Sequence, residues 1–155
     1  MRKGKAPKRF IQPDIKYSDV AITKFVNALM KEGKKSKAYA ILYKAFDIIE
    51  EKTKKNGHEV FQKALEKVTP MIEVKSRRMR GATYQVPIET RPERKVYLFN
   101  KWMIHSARKR NEKSMSLKLA AEFIAASQGE GAAMKKKNEV YKVAQSNKSF
   151  SHFKF

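Results

Sequence analysis

Only one stretch of this chain alternates. Residues 72–89, "IEVKSRRMRGATYQVPIE", put Ile72, Val74, Tyr84, Val86 and Ile88 at one parity and are broken at Arg80-Gly81. Elsewhere apolar residues recur at intervals of three and four, the helical period. One alternating stretch makes no more than a two-stranded ribbon, and a lone ribbon cannot carry a core. The expected fold is therefore mainly α: a six-helix bundle-like domain with one protruding two-stranded β-ribbon and flexible basic termini.

The helices follow from caps and periods. Ser18 caps the first, which runs to about Glu32 and ends at Gly33, with Ile22, Phe25, Val26 and Leu29 inward. The second follows "GKKS" and presents Ala38, Ile41, Leu42, Ala45, Phe46 and Ile49 before Asn56-Gly57 stops it. The third begins near Glu59 and stops near Pro70. Thr90 or Arg91 precedes Pro92, a favoured first helical residue, so a fourth helix follows through Arg110. Its apolar line is Val96, Phe99, Met103 and Ala107, broadened by Leu98 and Trp102. Ser114 or Ser116 starts a fifth, closed by Gly129 and Gly131, and a sixth spans about 132–146 with Met134, Val140, Val143 and Ala144 inward. In the ribbon, Ile72, Val74, Tyr84, Val86 and Ile88 are expected on one side. The chain thus divides into a basic arm at 1–16, one helical domain at 17–146 with the ribbon at about 72–90, and a tail at 147–155.

Charge points to the partner. Lys and Arg number 36 against 15 Asp and Glu, a net charge of +21. Such an excess repels itself unless an anion neutralises it, and nucleic acid is the leading candidate. An acidic membrane surface competes, but no run approaches the roughly 18 apolar residues of a spanning helix. There is no cysteine, and His58, His105 and His152 are far apart, so no metal or other cofactor is expected. No signal-peptide core follows the start, and the chain reads as cytoplasmic. The carboxylates are scattered among lysines, and "GEG" at 129–131 lacks the strand and spacing of a phosphate loop. Neither an enzyme nor a small-molecule substrate is expected.

Arginine and lysine are segregated. Seven of nine arginines lie between Arg77 and Arg110, and the flanks hold mainly lysine. Arginine's planar fork grips phosphate with two hydrogen bonds and stacks on bases, whereas lysine is a hydrated point charge. Specific binding is therefore assigned to the ribbon and the fourth helix. Generic attraction is assigned to the arm and to the runs Lys34-Lys35 with Lys37 and Lys135-Lys136-Lys137. Each run lies near a helix start, where exposed N–H groups attract phosphate. Tyr84 is placed equally well to stack on a base or to pack.

Three blocks carry a resemblance. The first is "FVNALMKEGKKSKAYAILYKA", with Phe25-Val26, Gly33-Lys34-Lys35, Ile41-Leu42 and Ala45 at diagnostic spacing. The second is "YQVPIETRPERK" with "ARKRNEKSM", and the third "GAAMKKKNEVYKVAQSNKSFSHF". Together they resemble the bacterial small-subunit (30S) ribosomal protein seven family. The resemblance implies a structural protein of the ribosome that binds 16S rRNA in its 3′ domain, starts assembly of the subunit head, and is used in translation. It implies a ribbon near the exit-site tRNA and the mRNA path, and small-subunit ribosomal proteins nine, eleven and thirteen as neighbours. The rRNA role it implies falls on Arg2, Lys3, Lys5, Lys8 and Arg9, on Lys34 and Lys35, on Arg77 and Arg78, on Arg91, Arg94 and Lys95, and on Arg108, Lys109 and Arg110. The tRNA- and mRNA-proximal ribbon is Arg78, Met79, Arg80, Gly81 and Tyr84. Two departures stand out: the turn reads Met79-Arg80-Gly81 where Val-Gly-Gly is common, and Phe99 stands where glycine is common. The competing reading is a DNA-architectural protein with a β-arm, for which Pro87 lies too far from the turn to act as a wedge.

Overall fold

The structure is a computed structural model that describes residue 4, residues 9–79 and residues 81–153. Its elements are α1 (Val20–Leu29), α2 (Lys35–Thr53), α3 (Gly57–Val68), β1 (Ile72–Met79), β2 (Ala82–Glu89), α4 (Pro92–Lys109), α5 (Met115–Gln128) and α6 (Ala132–Ser146), closed by a 3-10 segment at Lys148–Phe153. Helix α5 lies in the middle and packs on α2, α3, α4 and α6.

The core has a simple plan. Phe25, Phe46, Phe61, Phe99 and Phe123 come one from each of α1 to α5, and all are fully buried. Neighbouring rings in this group lie 5.4–6.4 Å apart, from Phe25–Phe123 and Phe61–Phe123 at 5.4 Å to Phe46–Phe123 at 6.4 Å. Tilted and edge-on rings at this spacing add about 0.5–1.5 kcal/mol per pair beyond area burial. Phe99 therefore fills the bundle centre, against Phe61 and Phe25.

Two cap expectations are corrected. Asp19, not Ser18, caps α1: its Oδ1 accepts from the Ala21 N–H at 2.7 Å, while Ser18 takes a left-handed φ of 52°. Its Oδ2 meets His58 Nε2 at 3.0 Å, so a carboxylate at this position ties α1 to α3 as well. Helix α1 also ends at Leu29, three residues before Glu32, because Met30 leaves the helical conformation with ψ 138° and Glu32 and Gly33 then turn at positive φ. Of the alternatives left open, Arg91 precedes α4 and Ser114 caps α5 through Leu117 N–H.

The close approach of α2 to α3 needs a glycine. A Cβ on Gly57 would lie 2.6 Å from the Cβ of Phe46 and 2.8 Å from its Cα.

The ribbon register also departs from expectation. Met79 pairs with Ala82, so only Arg80-Gly81 separates the strands, and Gly81 has φ 89°. Loop length sets register. Here Arg77 faces Tyr84, Lys75 faces Val86 and Glu73 faces Ile88 on one side. Val74 with Pro87 and Ile72 with Glu89 fall on the other. Ile72 and Val74 are thus on the opposite face from Tyr84, Val86 and Ile88. Val86 is fully buried, and Tyr84 packs on Phe150 of the 3-10 segment with ring centres 5.0 Å apart.

Candidate nucleic-acid interface

The basic residues expected to bind do not form one patch. Arg91, Arg94 and Lys95 stand at the start of α4, and Arg108, Lys109 and Arg110 at its end. At 1.5 Å per residue those ends are roughly 24 Å apart. The ribbon joins the near end, and Lys34 joins the far end.

At the near end, Glu73 on β1 accepts from Arg94 Nε at 3.0 Å and lies 3.8 Å from Lys75. This ion pair ties the ribbon base to α4. Arg94 also lies over the Tyr97 ring, 4.8 Å from its centre. Arg78 and Arg91 are exposed, and Arg77 is half-buried. Lys95 Nζ reaches the Met71 sulfur at 3.7 Å. Tyr84 resolves toward packing, half-buried on Phe150. Arg80 lies outside the described residues.

At the far end, Lys31, Lys34 and Lys37 meet Arg108 around a groove of about 350 Å³. Its floor is Leu29, Met30, Ala38, Ile41 and Met115. Lys34 and Arg108 are 74 residues apart in the chain, so only the α1–α4 packing brings them together. Lys34 pairs with Glu32, and Lys35 lies 5.7 Å from the Tyr39 ring centre. No side chain caps the start of α2. Lys31 and Met115 were missed from sequence, because neither carries a signal until the helices pack.

Arg110 is engaged inside the protein. Its Nε donates to Glu112 at 2.8 Å, and its Nη1 donates to Glu122 at 2.8 Å. Glu122 is fully buried, and its other oxygen accepts the Ala133 N–H at 2.9 Å. Glu112 holds the guanidinium proton more firmly, and Arg110 in turn holds the Glu112 carboxyl below its ordinary 4.5. The start of α6 is thus supplied with an anion by α5. That departs from the expectation that the lysine run there faces phosphate at an open helix end. Of that run, Lys137 donates to the Lys67 carbonyl at the end of α3, lies over Tyr141, and is lowered in pKa by burial. Lys136 pairs with Glu139 at 2.9 Å, and Lys135 is exposed. Glu122 was missed, although a lone carboxylate in the apolar run "LAAEFIAA" was the available signal.

In the N-terminal arm, Arg2, Lys3, Lys5 and Lys8 lie outside the described residues, and Arg9 is exposed. Asp14, within the segment assigned to the arm, is buried and accepts from Tyr43 Oη at 2.6 Å and from the N–H groups of Lys16 and Tyr17. Burial, with help from Asp14, pushes the Tyr43 phenol well above its ordinary value.

Among the described residues no group of three metal-ligating side chains occurs, and no helix is long and apolar enough to cross a membrane. What the geometry offers is two separated cationic surfaces on a rigid helical body.

The family described as Ribosomal protein S7p/S5e matches residues 1–148. A protein from Cytophaga hutchinsonii, named small ribosomal subunit protein uS7, is 56% identical over 155 residues and covers 100% of both chains. Proteins of the same name from Amoebophilus asiaticus and Cupriavidus necator are 57% and 52% identical over 154 residues, covering 99% of each chain.

Proposed function

The chain belongs to the Ribosomal protein S7p/S5e family, a non-enzymatic structural constituent of the small ribosomal subunit, and on that premise we propose that it binds 16S rRNA directly in the 3′ domain and nucleates assembly of the subunit head. In this reading the two cationic surfaces grip RNA at opposite ends of α4. The far surface uses Lys34, Lys35, Arg108 and Lys109. The near surface uses Arg91, Arg94 and Lys95 with Arg77 and Arg78 of the ribbon. The arm, with Arg2, Lys3, Lys5, Lys8 and Arg9, adds unspecific attraction. Arg110 serves by holding the α4–α5 turn, which sets the direction of Arg108 and Lys109.

The ribbon tip, Arg78 to Gly81, lies near the exit-site tRNA and the mRNA path. Tyr84 braces the ribbon against Phe150. Small-subunit ribosomal proteins nine, eleven and thirteen are the expected neighbours.

One observation carries the reading. Lysines from the α1–α2 turn and an arginine from the end of α4 converge on one groove, in a chain of net charge +21. Convergence of this kind positions phosphate, whereas scattered surface charge only keeps a protein soluble. The test compares affinity for the folded 16S 3′ domain with affinity for duplex DNA of equal length at matched salt. A clear preference for the rRNA is expected, and equal affinities would overturn the assignment.

A further inference from the structure

We propose that the groove between the α1–α2 turn and the end of α4 receives a single unstacked RNA nucleotide, with its base on the apolar floor and its phosphates on the cationic rim. This rests on the reading of that face as an rRNA interface and says what the face reads.

The rim and floor differ in kind. Lys31, Lys34, Lys37 and Arg108 supply four cations from two stretches of chain, and Glu32, held by Lys34, is the neighbouring carboxylate. Beneath them Leu29 and Ala38 are buried, and Met30, Ile41 and Met115 are half-buried and packed on the core. The volume of about 350 Å³ falls within the range of about 300–1,000 Å³ common for small-ligand sites. A paired A-form helix needs a cationic surface but has no use for an apolar recess, because its bases stay stacked. An unpaired base has an apolar face to bury and a phosphate on either side. Methionine adapts to a flat ring, and a guanidinium such as that of Arg108 stacks on one.

Two other concavities lack this pairing. The larger groove of about 710 Å³ beside the ribbon is lined by Met71, Ile72, Pro87 and Ile88, with one lysine and one glutamate. In the recess beside α6, Arg94 is paired with Glu73 and Lys136 with Glu139. Of these three grooves, the far one joins a surplus of cations to an open apolar floor, even with Lys34 held by Glu32.

The test uses the full chain and three probes at one salt concentration. These are an RNA stem-loop with one unpaired 2-aminopurine, the same stem fully paired, and a peptide of alternating Glu and Leu. Base burial on this floor predicts that the bulged stem binds roughly tenfold or more tighter than the paired stem and changes its fluorescence on binding. Met115→Gln leaves charge unchanged, and should cut that preference to about threefold or less while leaving the paired stem's affinity as it was. Ile41→Gln repeats the measurement from α2, each variant being used once its circular dichroism matches the parent. Lys37→Gln should instead weaken both RNAs by one factor and reduce the log–log salt slope by about 0.7–0.9. Equal affinity for the two stems, equal weakening of both by Met115→Gln, or displacement of the RNA by the peptide would each overturn the proposal. Failure of the rRNA reading shows differently, in the separate comparison above, as equal affinity for the folded 16S 3′ domain and duplex DNA of equal length.

Discussion

The carboxylate of Glu122, fully buried, holds Arg110 Nη1 at 2.8 Å with one oxygen and the Ala133 N–H at 2.9 Å with the other. Three helices meet at this one side chain. Gly131 is shaped by it, since a Cβ there would lie 3.0 Å from Glu122 Oε1. Removing the carboxylate leaves Arg110 with Glu112 alone and the buried Ala133 N–H without its acceptor, and an orphaned buried donor costs about 1–3 kcal/mol. Glu122→Ala is expected to lower stability by that amount, read from the denaturant midpoint. A loss below about 1 kcal/mol would mean that water replaces the carboxylate at little cost.

The Arg110–Glu112 contact gives stability a pH dependence. Arg110 lowers the Glu112 carboxyl below its ordinary 4.5, so the pair's contribution is present above that value and fades as pH falls through the folded-state value. The stability difference between parent and Glu112→Gln should therefore be largest near neutrality and shrink on the acid side. Denaturant midpoints measured from pH 7 down through the carboxylate range check this. A difference that stays constant would show that the charge on Glu112 contributes nothing.

Gly57 is required by packing. Although alanine is favoured over glycine within helices, its Cβ would strike the backbone of Phe46. Overpacking of this kind costs about 1–3 kcal/mol, and Gly57→Ala should destabilise by that much. Thermal unfolding decides the sign.

Arg77 and Tyr84 already face each other across the ribbon. Replacing residues 78–83 by Asn-Gly closes the hairpin there and keeps the Tyr84–Phe150 contact. Helicity by circular dichroism should be unchanged, while contacts to exit-site tRNA or mRNA weaken more than rRNA binding. Collapse of the helical signal would place the ribbon tip in the folding core.

Much of this architecture was legible because helices bury stripes, and stripes are local. The Phe25, Phe46 and Phe99 positions could each be read from period alone. The ribbon faces could not, because parity across a hairpin depends on whether the turn holds an even or odd number of residues. Arginine segregation points to α4 as the expected binding element, but it could not separate Arg108, exposed at a groove, from Arg110, tied to Glu112 and Glu122. The partner carboxylate Glu122 is 12 residues away and belongs to another helix. Lys137 was likewise misplaced, since its acceptor is the Lys67 carbonyl, 70 residues away. Long-range pairing of charges has no period to betray it.

Whether the positive surface meets RNA phosphate is read from the salt dependence of binding to the 16S 3′ domain. Roughly six to ten phosphate contacts predict a log–log slope of about −5 to −9. A slope shallower than about −2 would contradict the account, because most of the charge would then lie outside the interface.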